Sequence, residues 1–124
     1  MIEELITILL NNAAVLAIQS DRVYPQTMPS HKTYPATVLH RISLTGNPAK
    51  DVNATIHRSR IQTDHLAKDY QTALQLADAT IEALEGYEQG DFINITHQNT
   101  RDSYNTDVQI HRVINEFQIN YRRI

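Results

Sequence analysis

The sequence contains no cysteine and no tryptophan. Without cysteine there is no disulfide framework, no thiolate zinc site and no cysteine nucleophile. Glycine occurs three times, at Gly46, Gly86 and Gly90, so no glycine-rich phosphate loop can be built. Basic charge is also short. Eleven Lys and Arg stand against fourteen Asp and Glu, a net charge of −3. A non-specific nucleic-acid binder is ordinarily basic, which disfavours that class. No long apolar run is present either. The run after Met1-Ile2-Glu3-Glu4 is interrupted by Thr7, Asn11 and Asn12 and is too short to span a bilayer. Its start is acidic where a secretion signal is positive. The expectation is a chain that stays in the compartment where it is made, without a membrane partner.

What is there suits one domain covering residues 1–124. A chain of this length can bury about two-thirds of its unfolded surface and needs no staple to fold. No linker, low-complexity tract or internal repeat divides it. Ile2, Leu5, Ile6, Leu9 and Leu10 recur at helical spacing. Asn11-Asn12 interrupts them, and Ala13 to Ile18 adds a short helical turn. Ser20 to Tyr34, with Pro25 and Pro29, reads as an irregular connection. A strand follows over Ala36 to Ser43, then a turn at Thr45-Gly-Asn-Pro48. A long extended run covers Ala54 to Leu66. It places Ile61, Thr63 and His65 on one face and Gln62, Asp64 and Leu66 on the other.

Asp69 is a candidate N-cap for a helix to Glu85, with Tyr70, Ala73, Leu74, Ala77, Ile81 and Leu84 as its apolar stripe. Gly86 is placed to end it. Two strands close the chain, from Phe92 to about Tyr104 and from Val108 to Tyr121, joined at Asn105-Thr106-Asp107. The expected fold class is α+β, an antiparallel sheet of about four strands in the order α-β-β-α-β-β. Two helices cover one face. The other face, lined by Gln62, Asp64, Gln118 and Asn120, suits solvent or a wet partner surface.

Chemistry is hard to find along this pattern. None of the six histidines pairs at a spacing that shares a metal on one helix or strand; only His97 with His111 across the last hairpin stays open. His65 sits where alternation asks for an apolar residue. It is expected to be partly buried, with its pKa lowered by desolvation. No serine lies in a nucleophile elbow, and no carboxylate pair has a distinguishing context. The expectation is no enzyme, no catalytic residue, no metal and no cofactor. Basic residues gather at His57, Arg58 and Arg60 and at Arg122-Arg123, without a coherent stripe. Stacking aromatics are missing around them, so a protein-binding edge is favoured over a nucleic-acid groove. The interface candidates are Asn47, Lys50, Asp51, Asn53, His57, Arg58 and Arg60 in the long hairpin, and Arg122 and Arg123 at the end.

Asn11-Asn-Ala-Ala-Val-Leu16, Asp21-Arg-Val-Tyr-Pro25 and Tyr34-Pro-Ala-Thr-Val-Leu-His-Arg-Ile-Ser43 follow one another along the chain. Ile61-Gln-Thr-Asp-His-Leu-Ala67, Tyr70-Gln-Thr-Ala-Leu-Gln-Leu-Ala77, Leu84-Glu-Gly86 and Phe117-Gln-Ile-Asn-Tyr121 continue the series. In these motifs and their order the chain resembles the tail-completion or tail-terminator proteins of long-tailed bacteriophages. Where that family often shows a valine and then a tryptophan, this chain has His65 and Leu66. The resemblance implies a structural virion protein at the head-proximal end of the tail, free in the host cytoplasm before assembly. It implies a self-associating ring, typically a hexamer, that caps the tail tube, ends its polymerisation and joins the head connector. DNA would pass through the lumen without specific binding. The alternatives are a head–tail adaptor or stopper on the portal side and, from a different class, a small nucleic-acid-binding module using Arg58, Arg60, Arg122 and Arg123.

Overall fold

The computed structural model describes residues 2–27, 33–46, 55–90 and 92–123. Helix α1 (Ile2–Leu10) sets Leu5 and Leu9 one turn apart, and both are fully buried. Glu3 and Glu4 occupy its first turn, where the helix dipole favours acids. The Asn12 carboxamide accepts from the Val15 amide at 3.1 Å and starts α2 (Ala13–Gln19), which turns 85° away from α1. Among the described residues, no single helix is long and apolar enough to cross a membrane.

The sheet has five strands rather than four. Val23–Pro25 forms β1, parallel to β2 (Ala36–Gly46). This stretch was expected to be irregular because of its proline, but β1 lies at the sheet edge, where proline is tolerated. Strand β3 (Thr55–Ala67) runs antiparallel to β2. Helix α3 (Tyr70–Leu84) follows, capped by the Asp69 carboxylate on the Thr72 amide at 3.1 Å. Gly86, at φ +79°, turns the chain just past its end, as expected. Strands β4 (Phe92–Asn105) and β5 (Ile110–Arg123) then complete the order β1-β2-β3-β5-β4. The α+β class stands. The four-stranded antiparallel sheet with two helices becomes a five-stranded mixed sheet with three, in the order α-α-β-β-β-α-β-β.

All three helices lie on one face. Leu5, Leu9 and Val15 meet Leu76 and Leu84 of α3, and together they cover Leu39, Ile61, Ile95, Phe117 and Ile119 of the sheet. The stripe of α3 is rotated from the one expected. Leu76 and Thr80 are fully buried, whereas Tyr70 is 40% exposed. Thr80 is tolerated because its hydroxyl donates to the Leu76 carbonyl at 2.9 Å.

A polar node crosses this core. His65 is fully buried on the helix-facing side of β3. The Thr37 hydroxyl donates to Gln19 Oε1 at 2.7 Å. Its proton is thus spent, and it accepts from His65 Nδ1 at 2.9 Å. That leaves His65 Nε2 as the acceptor for the Thr63 hydroxyl at 2.9 Å and Asn115 Nδ2 at 3.2 Å. Asn115 Nδ2 also donates to the Ala77 carbonyl at 3.1 Å, and Asn115 Oδ1 accepts from Thr100 at 2.7 Å. One neutral imidazole thus ties α2, β2, β3, β5 and α3 together, with β4 joined through Asn115. This explains a histidine at a position suited to an aliphatic residue.

Burial holds His65 well below the ordinary imidazole value, at about 3. The unfolded chain therefore binds a proton near pH 6.5 that the folded chain refuses. Stability contributed by this site is intact above pH 6.5 and falls by about 1.4 kcal/mol per pH unit as acid is added below it. Between pH 6.5 and about 5, above the carboxylate range, the urea midpoint of the wild type should fall more steeply than that of His65→Gln. Equal slopes would show that the folded protein protonates His65.

Candidate functional site

The helices leave one side of the sheet uncovered, and strand alternation decides what stands there. In β3 the outward residues are Arg58, Arg60, Gln62, Asp64 and Leu66. Register places Asn120, Gln118, Glu116, Ile114 and Arg112 of β5 beside them. Asn94, Thr96, Asn99 and Arg101 of β4 continue the rows. Five arginines (Arg58, Arg60, Arg101, Arg112 and Arg122) therefore share this face with two acids, Asp64 and Glu116. No coherent basic stripe was expected from the sequence. The fold assembles one from three strands that are distant along the chain.

Glu116 is the anchor of the cluster. It is only 8% exposed. It accepts from Arg101 Nη1 at 2.8 Å, Arg60 Nη2 at 3.1 Å and Asn99 Nδ2 at 3.1 Å. The Arg101 hydrogen bond, reinforced by the charges of Arg101 and Arg60, holds its carboxyl below the usual range against the opposing effect of burial. Arg101 also donates to Gln62 Oε1 at 3.1 Å, and Gln62 donates to Asp64 Oδ1 at 2.8 Å. Asp64, itself 5% exposed, has His40 Nε2 at 3.5 Å and Arg112 Nη1 at 3.6 Å. A continuous polar chain thus crosses β2, β3, β5 and β4.

Beyond Asp64 the face deepens into a cleft of about 730 Å³. Val38, Leu66 and Ile110 form its floor, with Tyr34 on one wall and Tyr104 and Val108 of the β4–β5 turn on the other. Tyr104 and Val108 are about half exposed.

The interface candidates fare unequally. Asn47, Lys50, Asp51 and Asn53 lie outside the described residues. His57 points to the helix side, its ring stacked on Tyr121 at 5.4 Å, so it does not join Arg58. Arg60 is half exposed but committed to Glu116. Arg58 and Arg122 are exposed and make no ion pair among the described residues. Arg122 stands one row from Arg58's partner Asn120, which sets the two arginines about 7–8 Å apart on the diagonal. Arg123 is the last residue of β5. Arg101 and Arg112 were not singled out by sequence, because nothing local marks them as neighbours of Arg60 and Asp64. His97 and His111 do not meet: His97 stands opposite Phe117, and His111 opposite Tyr104. Among the described residues no three His, Asp or Glu side chains are grouped to hold a metal.

The model of the family "Tail completion protein gp17" matches residues 3–122. The chain belongs to this family. Its role is accordingly structural, in the assembly of a bacteriophage tail within the virion. Comparison with curated protein sequences gives no match. Among solved structures, a chain of the "Virion of native gene transfer agent (GTA) particle" is similar in fold, with a TM-score of 0.74 and 15% identity. The similarity covers 96% of this chain and 92% of that one.

Because Glu116 is buried and accepts from two arginines, its neutralisation should cost the fold. Glu116→Gln is expected to lower stability by about 2 kcal/mol at pH 7, read by urea denaturation. A depressed carboxyl stabilises above its unfolded pKa and loses that contribution as pH falls. The gap between wild type and variant should therefore narrow as the pH is lowered below 4.5. A gap that persisted unchanged in acid would show that charge is not its source.

Proposed function

We propose that this tail completion protein assembles into a closed ring, a hexamer, on the last ring of the tail tube. There it ends polymerisation and presents a surface to the head connector. The observation that carries this reading is that the molecule is unlike itself on every side. One sheet edge is the three-residue β1 and the other is the fourteen-residue β4. One face is covered by helices and the other is an arginine-rich sheet. A body with unlike edges and unlike faces can offer a different surface to each of two neighbours, and such head-to-tail contacts end only by closing into a ring. The unpaired outer edge of β4 offers a template for a further strand from a neighbour. DNA passes through the lumen without specific binding, and no cofactor or catalytic step is involved. A place on the portal side, as an adaptor or stopper, would use the same geometry with a different partner.

The test combines mass in solution with tail morphology. The ring reading expects a species of about six times the 14.2 kDa chain mass, alone or on purified tubes. It also expects tubes of uncontrolled length when the protein is withheld. Tails of normal, uniform length in its absence would refute the terminator role. A defect confined to head attachment would move the protein to the portal side.

A further inference from the structure

Charge in this molecule is sorted by layer. The three helices carry Glu3, Glu4, Asp78 and Glu82 and not one base. On the solvent side of α3, Gln71, Gln75, Asp78, Glu82 and Glu85 are all exposed at helical spacing, a single stripe with acids over its second half. Asp78, Glu82 and Glu85 make no ion pair among the described residues. The opposite side is the arginine-rich sheet face, where Arg58 and Arg122 are likewise unpaired. Glu116 is shared by two arginines there and leaves one positive charge uncompensated. A chain of net charge −3 thus carries a positive face on its back.

We infer that the acidic stripe of α3 in one copy docks against the arginine face of the next copy, forming the repeating contact of the ring. The occupant is a second copy because the two complementary surfaces lie on opposite layers of the same chain. That is the arrangement a head-to-tail contact requires and an isologous one forbids. Opposite potentials set partner orientation and speed encounter, while like faces repel. The amides of Asn120 and Gln118 and the hydroxyl of Thr96 add hydrogen-bonding groups around the arginines, as suits a wet interface. This inference rests on the ring reading and assigns its contact surface.

The experiment uses three full-length variants with the wild type, sized by sedimentation and by native mass spectrometry at low and high salt. Arg58→Glu with Arg122→Glu reverses one surface, and Asp78→Arg with Glu82→Arg reverses the other. The third variant carries all four changes. All eight side-chain ends involved are exposed or replace exposed groups, and circular dichroism checks that each variant folds. Each reversal alone should weaken self-association by about tenfold or more. The fourfold variant should recover it, because acid again meets base. High salt should loosen the wild-type ring, since about 1 M salt shortens the screening length to about 3 Å and weakens exposed ion pairs. A wild type that forms no ring either alone or on purified tubes would overturn the ring reading itself. Wild-type and reversed variants that all form rings would overturn only this contact. So would a loss that the fourfold variant does not repair. Rings that survive Arg58→Glu with Arg122→Glu but lose salt-sensitive binding to a duplex DNA would overturn it too, in favour of a nucleic-acid surface.

Discussion

Among the described residues the sheet is covered on one side only, and most of the molecule follows from that. Five strands bury an apolar face under three short helices, and the same strands must then present their other residues without cover. Alternation makes the two demands compatible. Ile61, Thr63 and His65 turn inward, while Arg60, Gln62 and Asp64 turn outward from the same stretch of β3. On the open face, side-chain polar groups meet one another through the chain running from His40 by way of Asp64, Gln62 and Arg101 to Glu116. Such a network keeps long side chains upright over the sheet and buries its acids. It also leaves arginine charge in excess, which a further partner can meet.

The covered side carries its own departure from simple packing. An aliphatic residue at position 65 would fill the space but could not connect the layers. The imidazole there receives and donates hydrogen bonds in one tautomer only, so it orders Thr37, Thr63 and Asn115 around itself. Buried polar groups of this kind are costly unless fully paired. Pairing was available because β2, β3 and β5 bring two threonines and an asparagine to the same level. A node that tolerates few alternatives favours one arrangement of the layers.

Much of this was legible in the sequence, for identifiable reasons. Asp69 and Gly86 announce the ends of α3 through local backbone chemistry, and the period of two in β3 sorts its faces. The polar open face was foreseen from Gln62, Asp64, Gln118 and Asn120. Strand β1 was missed because three residues containing a proline give no periodic signal, and only pairing with β2 makes them a strand. The stripe of α3 was misjudged at Tyr70 and Leu76, since the docking angle is set by the sheet and not by α3 itself. Asn115 was not singled out: alternation in β5 puts it on the core face with Val113 and Phe117, but only its neighbours show what it pairs with. The arginine face was invisible for the same reason: residues 58, 101, 112 and 122 share no local pattern, and register alone gathers them.

The absence of cysteine that limits the chemistry of this chain also makes its surfaces easy to probe. Gln118 stands on the open face beside Arg60, partly exposed. A Gln118→Cys variant carries a single thiol, whose labelling rate can be read in the free chain and on assembled tails. Burial of the open face on assembly predicts rapid labelling in the free chain and strong protection in the tail. Equal rates in both states would contradict the assignment of this face as the contact surface.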